Sequence, residues 1–318
     1  MDRRNLYYAG VLVLYLYQPT ATAHAADPVL FGAFGEDDRV RVALEVGYLS
    51  ARAKEYLYDN GRTVSELIWD VNSAASITGR AEMSMSPRWQ LSGSATIGIN
   101  YDNFMVEYDW LTDSPDWSDR SLSWDTRLDH YVAVDAGASY AFWKTYNTTM
   151  KAIGGLRYTD IKMSTYGGEY IYTPEGGDFR SEIGNFPDSE RGITYRQRLP
   201  VIYGGLGAAR QFGSLHLDAS VLGGLTVWAR DKDNHWNRAA VYKADFDSRP
   251  YLALQMRASV PVTDRGEAVL SARYEKHFRM RGDLHITDFS DGTSSSGRDG
   301  AGASLQTINV GIGLKFRF

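Results

Sequence analysis

Polar and apolar residues alternate one by one along several stretches of this chain. Between Leu215 and Val227, apolar side chains occupy most odd positions, and polar residues or glycine occupy most even ones. Residues 40–48, 252–260 and 268–274 repeat the pattern. A period of two residues is that of a β-strand, in which successive side chains point to opposite faces. The sequence therefore predicts an all-β protein.

The polar positions of these predicted strands carry full charges, among them Arg257, Arg273 and Glu275. A soluble barrel would bury its apolar face inside. A membrane barrel instead turns that face to the lipid and keeps charged side chains in its interior. Because the polar positions carry charges, the pattern favours a membrane barrel. A lumen crowded with charges argues against the alternative of an open pore.

Polar and turn-forming segments separate the strands, and they alternate strictly in length. The short links are residues 86–88, 144–147, 211–214 and 263–266. The long links are residues 51–62, 100–129, 163–192, 229–247 and 281–302. Short turns on one side and long loops on the other are typical of outer-membrane proteins. We therefore predict a ten-stranded antiparallel transmembrane β-barrel with five long extracellular loops.

The first residues have the features of a signal peptide. Two arginines, Arg3 and Arg4, precede a short apolar stretch at 6–17, and Ala23-His24-Ala25 is a small-residue cleavage site. The apolar stretch is too short for a membrane anchor. We expect residues 1–25 to be removed on export and residues 26–318 to form the barrel.

The last strand also indicates the outer membrane. Apolar side chains from Ile308 to the terminal Phe318 alternate with polar residues and glycine. Such a strand ending in phenylalanine is typical of outer-membrane barrels, and the alternative is the last strand of a soluble β-sandwich. The cell outer membrane, crossed many times by the chain, is therefore the expected location.

Composition excludes several other classes of protein. The 318 residues have a mean hydropathy of −0.36 and no run of 18 apolar residues, which excludes a helical membrane protein. The formal net charge of −5 argues against nucleic acid as a partner. There is no cysteine, so disulfides cannot stabilise this exported chain. The histidines His130, His216, His277 and His285 lack the spacing of zinc ligands, and no metal is expected.

Two short motifs in the predicted loops suggest chemistry. Glu107 and Asp109 are two residues apart, as are Asp233 and His235. In an extended segment such residues point the same way. Four strands separate the two loops, so in a ten-stranded ring they face each other across the mouth. An acid pair opposite an Asp-His pair could activate water, although acidic residues in loops are usually solvated and spacing alone is a weak signal.

The same motifs resemble the omptin family. The resemblance rests on Met105-Val-Glu-Tyr-Asp-Trp110, on Asp231-Lys-Asp-Asn-His235 and on the long segment 167–191, which begins Gly-Gly-Glu-Tyr-Ile-Tyr. It covers essentially the whole mature chain. Omptins are outer-membrane endopeptidases of Gram-negative bacteria, so the resemblance implies a hydrolase with its active site facing the cell exterior.

The resemblance assigns roles residue by residue. Asp233 and His235 match the catalytic Asp-His pair, and Asp109 matches the second acid of the family's Asp couple. Glu107 stands where the well-studied members have aspartate, and its extra methylene moves the carboxylate by roughly 1.5 Å. The implied mechanism is direct attack of water: His235 takes the proton, Asp233 orients His235, and the acid pair positions the water or stabilises the transition state.

Further residues match the family's binding sites. Glu55 and Asp231 match specificity acids, which implies a pocket for arginine or lysine and cleavage next to or between basic residues in cationic peptides or proteins. A lipopolysaccharide-contacting set is matched by Tyr158, Asp160, Lys162 and Arg198. The resemblance therefore implies lipopolysaccharide as an activating lipid and no other cofactor.

One alternative function follows from the glutamate at position 107, where the well-studied members of the family have aspartate. If the longer side chain misplaces the water, the protein would be a catalytically weak omptin-fold adhesin or binding protein. The sequence names neither the physiological substrate nor the balance between proteolysis and adhesion.

Overall fold

The computed structural model describes residues 39–99 and 103–318, which form β-strands joined by turns. The predicted signal peptide, residues 1–25, lies outside the described residues. The strands are β1 (Val40–Asp59), β2 (Arg62–Ser84), β3 (Trp89–Ile99), β4 (Asn103–Asp109), β5 (Asp119–Lys144), β6 (Thr148–Tyr172), β7 (Glu182–Phe212), β8 (Leu215–Thr226), β9 (Arg230–His235), β10 (Ala240–Phe246), β11 (Arg249–Pro261), β12 (Gly266–Asp288) and β13 (Ser294–Arg317).

Antiparallel pairing closes these strands into a ring, as predicted. β1 pairs with β2 on one side and with β13 on the other, and the remaining strands continue around in chain order. Residues 39–99 and 103–318 form thirteen segments rather than ten, because three positions in the ring each hold two consecutive segments: β3 and β4, β8 and β9, and β10 and β11. The interruption after β8 contains Trp228, whose φ of 51° is left-handed and breaks the extended backbone.

The four short turns are confirmed, but the predicted long loops are largely wrong. Most of their residues continue the strands. In the first of them, β1 and β2 run on to a two-residue turn, Asn60-Gly61, in which both φ angles are positive (49° and 81°). Polar side chains on these extensions pair across strands, as Lys54 does with Glu66 at 2.8 Å. Polarity therefore marked the part of the barrel that leaves the membrane, not the end of the strands.

A belt of exposed apolar side chains surrounds one part of the barrel. On β1 these include Leu44 and Val46, which are 62% and 58% exposed, and on β8 they include Val221 and Leu225. A soluble surface rarely leaves so much apolar area uncovered, whereas lipid would cover it. The described part of the chain contains no helical segment with the length and hydrophobicity needed to span a bilayer.

Ion pairs cross the lumen within this belt. Arg157 on β6 pairs with Glu275 on β12 at 2.5 Å, and Arg257 on β11 pairs with Glu82 on β2. These contacts join opposite walls and fill the interior, which supports the prediction that the barrel is not an open channel.

A hydrophobic layer separates the charged lumen from the end of the barrel that carries the Asn60-Gly61 turn. Along β1 the inward-facing series runs from Glu45 through Leu49, Ala51 and Ala53 to Glu55. Trp69 and Tyr195 stack in the same layer, with ring centroids 5.7 Å apart, and both are fully buried. This layer forms the floor on which the acidic residues of that end lie.

Candidate active site

The predicted acid pair lies on β4. Glu107 pairs with Leu67 on β2 and Ser121 on β5, and Asp109 is two residues further along. Both side chains are buried, and the Ser121 hydroxyl donates to Glu107 Oε2 at 3.0 Å. The prediction that the pair points the same way is supported, although a strand and not a loop carries it.

The predicted Asp-His pair lies on β9, also a strand. His235 Nε2 lies 2.6 Å from Asp233 Oδ2, and both side chains are buried. β9 is held between β7 and β10, where Tyr195 and Tyr242 flank Asp233. This hydrogen bond fixes the orientation of the imidazole ring.

A pocket lined by the acids Asp231 and Glu55 lies next to the Asp-His pair. Asp231 accepts a hydrogen bond from the Tyr195 hydroxyl at 2.9 Å, and Gln197 Nε2 donates to the same hydroxyl at 2.9 Å. Glu55 comes from β1 and is 5% exposed. Within the described residues, Glu55 Oε2 and Asp233 Oδ1 are buried without a hydrogen-bond partner. Unpaired buried carboxylate oxygens are costly, so this pocket is suited to a cationic ligand.

The acids of this pocket lie close enough to affect one another's pKa. Burial raises the pKa of Glu55 well above its usual range, and the charges of Asp233, Asp231 and Glu107 raise it further. Burial likewise raises the pKa of Asp231 to about 8, and Asp233 adds to the effect. Three strands, β1, β4 and β9, therefore bring their acids together beyond the apolar belt.

The acid pair and the histidine also interact. Burial raises the pKa of Asp109 to about 7, with the neighbouring Glu107 as the second cause. Burial lowers the pKa of His235, but the charge of Asp233 and its hydrogen bond outweigh this, so the pKa lies above its ordinary value. The charge of Glu107 acts in the same direction on His235. Glu107 and His235 also line one recess, so the two predicted motifs face each other.

Sequence reasoning missed several residues of the cleft. Ser121 and Tyr195 hold the acids, and Tyr172 and Arg238 face the acid pair. Each contacts residues far away in the sequence, and only the pairing of strands shows this.

The predicted lipid-contacting residues lie together on the outer face of β6 and β7. Asp160 accepts a hydrogen bond from Arg196 Nε at 2.8 Å, and its carboxylate lies 3.4 Å from the Tyr158 hydroxyl. Arg198 Nε is 4.0 Å from Asp160, and Lys162 pairs with Asp129 at 3.1 Å. Arg196, which the sequence reasoning did not select, is therefore the nearer arginine.

The fold and this end of the barrel define a class: a membrane β-barrel with an acid-lined cleft holding an Asp-His pair. Residues 36–318 match the model of the Omptin family. The chain is 28% identical to Protease 7 of Escherichia coli O157:H7, over 88% of this chain and 91% of that protein. It is also 28% identical to the outer membrane protease OmpP of Escherichia coli (strain K12), over 92% and 97% of the two chains.

A solved structure agrees with these matches. The crystal structure of the outer membrane protease OmpT from Escherichia coli superposes with a TM-score of 0.83 and 25% sequence identity, covering 89% of this chain and 98% of that one. This chain belongs to the omptin family and is an outer-membrane β-barrel of the protease class.

Proposed function

We propose that this protein is an endopeptidase that cleaves peptides and proteins next to or between basic residues, using water activated at the exterior-facing end of the barrel. The observation that carries the proposal is the 2.6 Å contact between His235 and Asp233, which faces Glu107 and Asp109 across one buried cleft. A histidine oriented by a carboxylate is a suitable general base, and the opposite acids are suited to hold a water molecule.

The mechanism follows from the placement of the proton. With the His235 Nε2 proton shared with Asp233, Nδ1 is the nitrogen that accepts a proton from water. The water oxygen bonds to the substrate carbonyl carbon as that proton moves to His235. The C–N bond then breaks, and His235 returns the proton to the leaving amine. Neither a metal nor a covalent enzyme intermediate is required.

The acid pair would position the attacking water. Glu107 is longer than aspartate by one methylene, but its carboxylate is fixed by the hydrogen bond from Ser121 at 3.0 Å. Asp109 is buried, and its backbone pairs with Ser65 on β2 and Asp119 on β5. Both acids are therefore restrained by neighbouring strands, which is what positioning a water requires.

The acidic pocket would bind the basic side chain before the scissile bond. Glu55 is buried and Asp231 is half-buried at this end of the barrel, and desolvation together with the charges of neighbouring acids raises the pKa of each. A bound guanidinium relieves that repulsion and forms charge-assisted hydrogen bonds with the carboxylate oxygens. A neutral side chain in this pocket does neither, so the pocket selects arginine or lysine.

Lipopolysaccharide is the proposed activating lipid. The outer face that holds Tyr158, Asp160, Lys162 and Arg198 is strongly cationic. A recess there is also lined by Arg191, Arg196, Arg230, Lys232 and Lys243. Guanidinium and ammonium groups bind phosphate oxygens well. Because β9 carries both Lys232 outward and the Asp-His pair inward, lipid bound here would stabilise the strand that holds the catalytic pair.

The proposal is tested with purified, folded protein and quenched peptides containing one basic site, Arg-Lys in one peptide and Arg-Ala in another. With lipopolysaccharide present, mass spectrometry of the products is expected to place the cut next to the arginine. Without lipopolysaccharide, the rate is expected to fall at least about tenfold. No cleavage by a barrel shown to be folded would contradict the peptidase function, and an equal rate without lipid would contradict the lipid dependence alone.

The pKa shifts predict how activity depends on pH. His235 must be neutral to accept a proton, and Asp109, whose pKa is about 7, must be ionised. Both conditions are lost as the pH falls, because both pKa values lie above their ordinary values. We expect kcat/KM to be at least about tenfold lower at pH 6 than at pH 8. A profile that is flat or rises towards pH 6 would contradict this assignment.

A further inference from the structure

One hydrogen-bonded side chain, that of Gln197, crosses the barrel at the level of the hydrophobic layer. It lies on β7, which is half-way around the ring from β1 in both directions. Its Nε2 donates to the Lys54 carbonyl oxygen on β1 at 3.4 Å and to the Ser304 carbonyl oxygen on β13 at 3.3 Å. The same Nε2 donates to the Tyr195 hydroxyl at 2.9 Å. Gln197 is fully buried, so these contacts join opposite walls of the barrel away from water.

The orientation of the Gln197 amide follows from its neighbours. Two of the groups around Nε2 are carbonyl oxygens, which can only accept hydrogen bonds, so the donor end of the amide must face them. Gln197 Oε1 is buried without a hydrogen-bond partner among the described residues. An unpaired buried acceptor lowers stability, so packing alone would favour an apolar side chain of similar length. The contacts of Nε2 therefore indicate a role other than packing.

The direction of the hydrogen bond from Tyr195 follows in turn. A tyrosine hydroxyl has one hydrogen to donate. Because this hydroxyl accepts from Gln197, its own hydrogen is directed at Asp231 Oδ2, 2.9 Å away. The ring cannot turn aside, since it is fully buried and stacks on Trp69 with ring centroids 5.7 Å apart. One carboxylate oxygen of Asp231 is therefore fixed to the wall formed by β7.

Gln197 also fixes the backbone next to Glu55. The Lys54 carbonyl belongs to the peptide bond that links Lys54 to Glu55, so the contact with Nε2 holds the backbone that carries this acid. Through the Tyr195 hydroxyl, the same amide holds the carboxylate of Asp231. The two acids of the pocket come from different walls of the barrel, and this connection keeps them at a fixed separation.

We propose that Gln197, acting through Tyr195, is a positioning residue that sets the separation of the two pocket acids and thereby makes the pocket select arginine over lysine. The proposal rests on the peptidase function proposed above. Arginine presents a planar fork of donors that can bond to two carboxylates at once, which requires both acids to be in place. Lysine presents a compact ammonium on a flexible chain, which can follow acids that move. Loosening either acid should therefore weaken arginine substrates more than lysine substrates.

A purely structural role for Gln197 must be separated from this one. If the side chain only filled the floor of the cleft, its loss would lower the stability of the barrel and slow arginine and lysine peptides by the same factor. Only a positioning role changes the ratio between the two peptides. It also predicts that substitutions of Gln197 and Tyr195 are not additive, because both break the same connection.

The test uses the purified folded protein with lipopolysaccharide and two peptides that differ only in having Arg-Ala or Lys-Ala at the cleaved bond. We expect the natural protein to prefer arginine at least about tenfold in kcat/KM. Gln197→Met keeps the length of the side chain, and Tyr195→Phe removes only the hydroxyl. Each should reduce the arginine-to-lysine ratio about fivefold, mainly through a higher KM for the arginine peptide, and the double variant should reduce it no further.

Two matched controls should leave the ratio unchanged. Tyr203→Phe removes, further along β7, a buried tyrosine hydroxyl that donates to Asp135 at 2.8 Å. Gln306→Met replaces an exposed glutamine of β13.

The outcomes separate this inference from the function on which it rests. If the folded variants of Gln197 and Tyr195 keep the natural ratio, or slow both peptides equally, the positioning role is wrong and the peptidase function stands. A natural protein that cleaves both peptides at similar rates would overturn the positioning role as well. If the folded natural protein cleaves neither peptide, the peptidase function fails, and the positioning role fails with it.

Discussion

Replacing His235 with alanine is expected to lower kcat by about three orders of magnitude, within the range known for the loss of a general base. The imidazole is the group of the cleft that is held by Asp233 at 2.6 Å and faces the acid pair. Without it, water must attack as a poor nucleophile and the leaving amine loses its proton donor. KM should change little, because the acidic pocket that binds the substrate is intact.

Initial-rate kinetics on the Arg-Ala peptide measures this effect. The matched control is His285→Ala, which removes an exposed histidine of β12 that interacts with Ser296 and should leave kcat within about twofold. If His235→Ala retained more than a tenth of the natural rate, His235 would not be the base and the proposed mechanism would be wrong.

The second large effect concerns substrate choice. The double variant Glu55→Gln, Asp231→Asn should lower kcat/KM for an arginine peptide by a factor on the order of 10², because two charge-assisted hydrogen bonds are lost. Both substitutions keep the shape of the side chain and remove only charge. For a peptide with citrulline in place of arginine, kcat/KM of the double variant should equal or exceed that of the natural protein, because citrulline has no charge for the acids to pair with.

The comparison of the two peptides decides the role of the pocket. Glu66→Gln is a suitable control, because it removes an acid that pairs outside the cleft with Lys54. If the double variant kept the preference for arginine over citrulline, Glu55 and Asp231 would not determine specificity, and another group would have to bind the basic side chain.

Much of the fold could be predicted from the sequence because of its two-residue period. Alternation separates the lipid-facing side from the interior, as Leu44 and Glu45 show: the first is 62% exposed and the second 2%. The short turns were also predictable, since turn-forming residues mark them. The outer ends of the strands were not. Their polar residues resemble loop residues, but backbone pairing and cross-strand ion pairs keep them extended.

The candidate site was only partly predictable for the same reason. Two residues that lie two positions apart, such as Asp233 and His235, can be recognised in the sequence of a single strand. Glu55 could not be placed by residue patterns, because its neighbours in the cleft come from β4 and β9, and it was found through the resemblance alone. Arg238 and Tyr195 were missed, since their importance depends on contacts between strands.

Glu107 is the point at which the peptidase and the adhesin alternatives differ. Its carboxylate is buried, hydrogen-bonded to Ser121 and directed at the same cleft as His235. These contacts favour a side chain that takes part in the chemistry. They also make the exchange with aspartate informative, because the shorter residue keeps the charge and changes the reach by one methylene.

Cleavage of the Arg-Ala peptide, with product masses identifying the bond, tests the central claim most directly when the natural protein, His235→Ala and Glu107→Asp are run side by side with lipopolysaccharide. We predict that the natural protein cuts next to the arginine, that His235→Ala does not, and that Glu107→Asp remains within about tenfold of the natural rate. If the folded natural protein cleaved no peptide while Glu107→Asp was active, this result would contradict the claim and support the binding role.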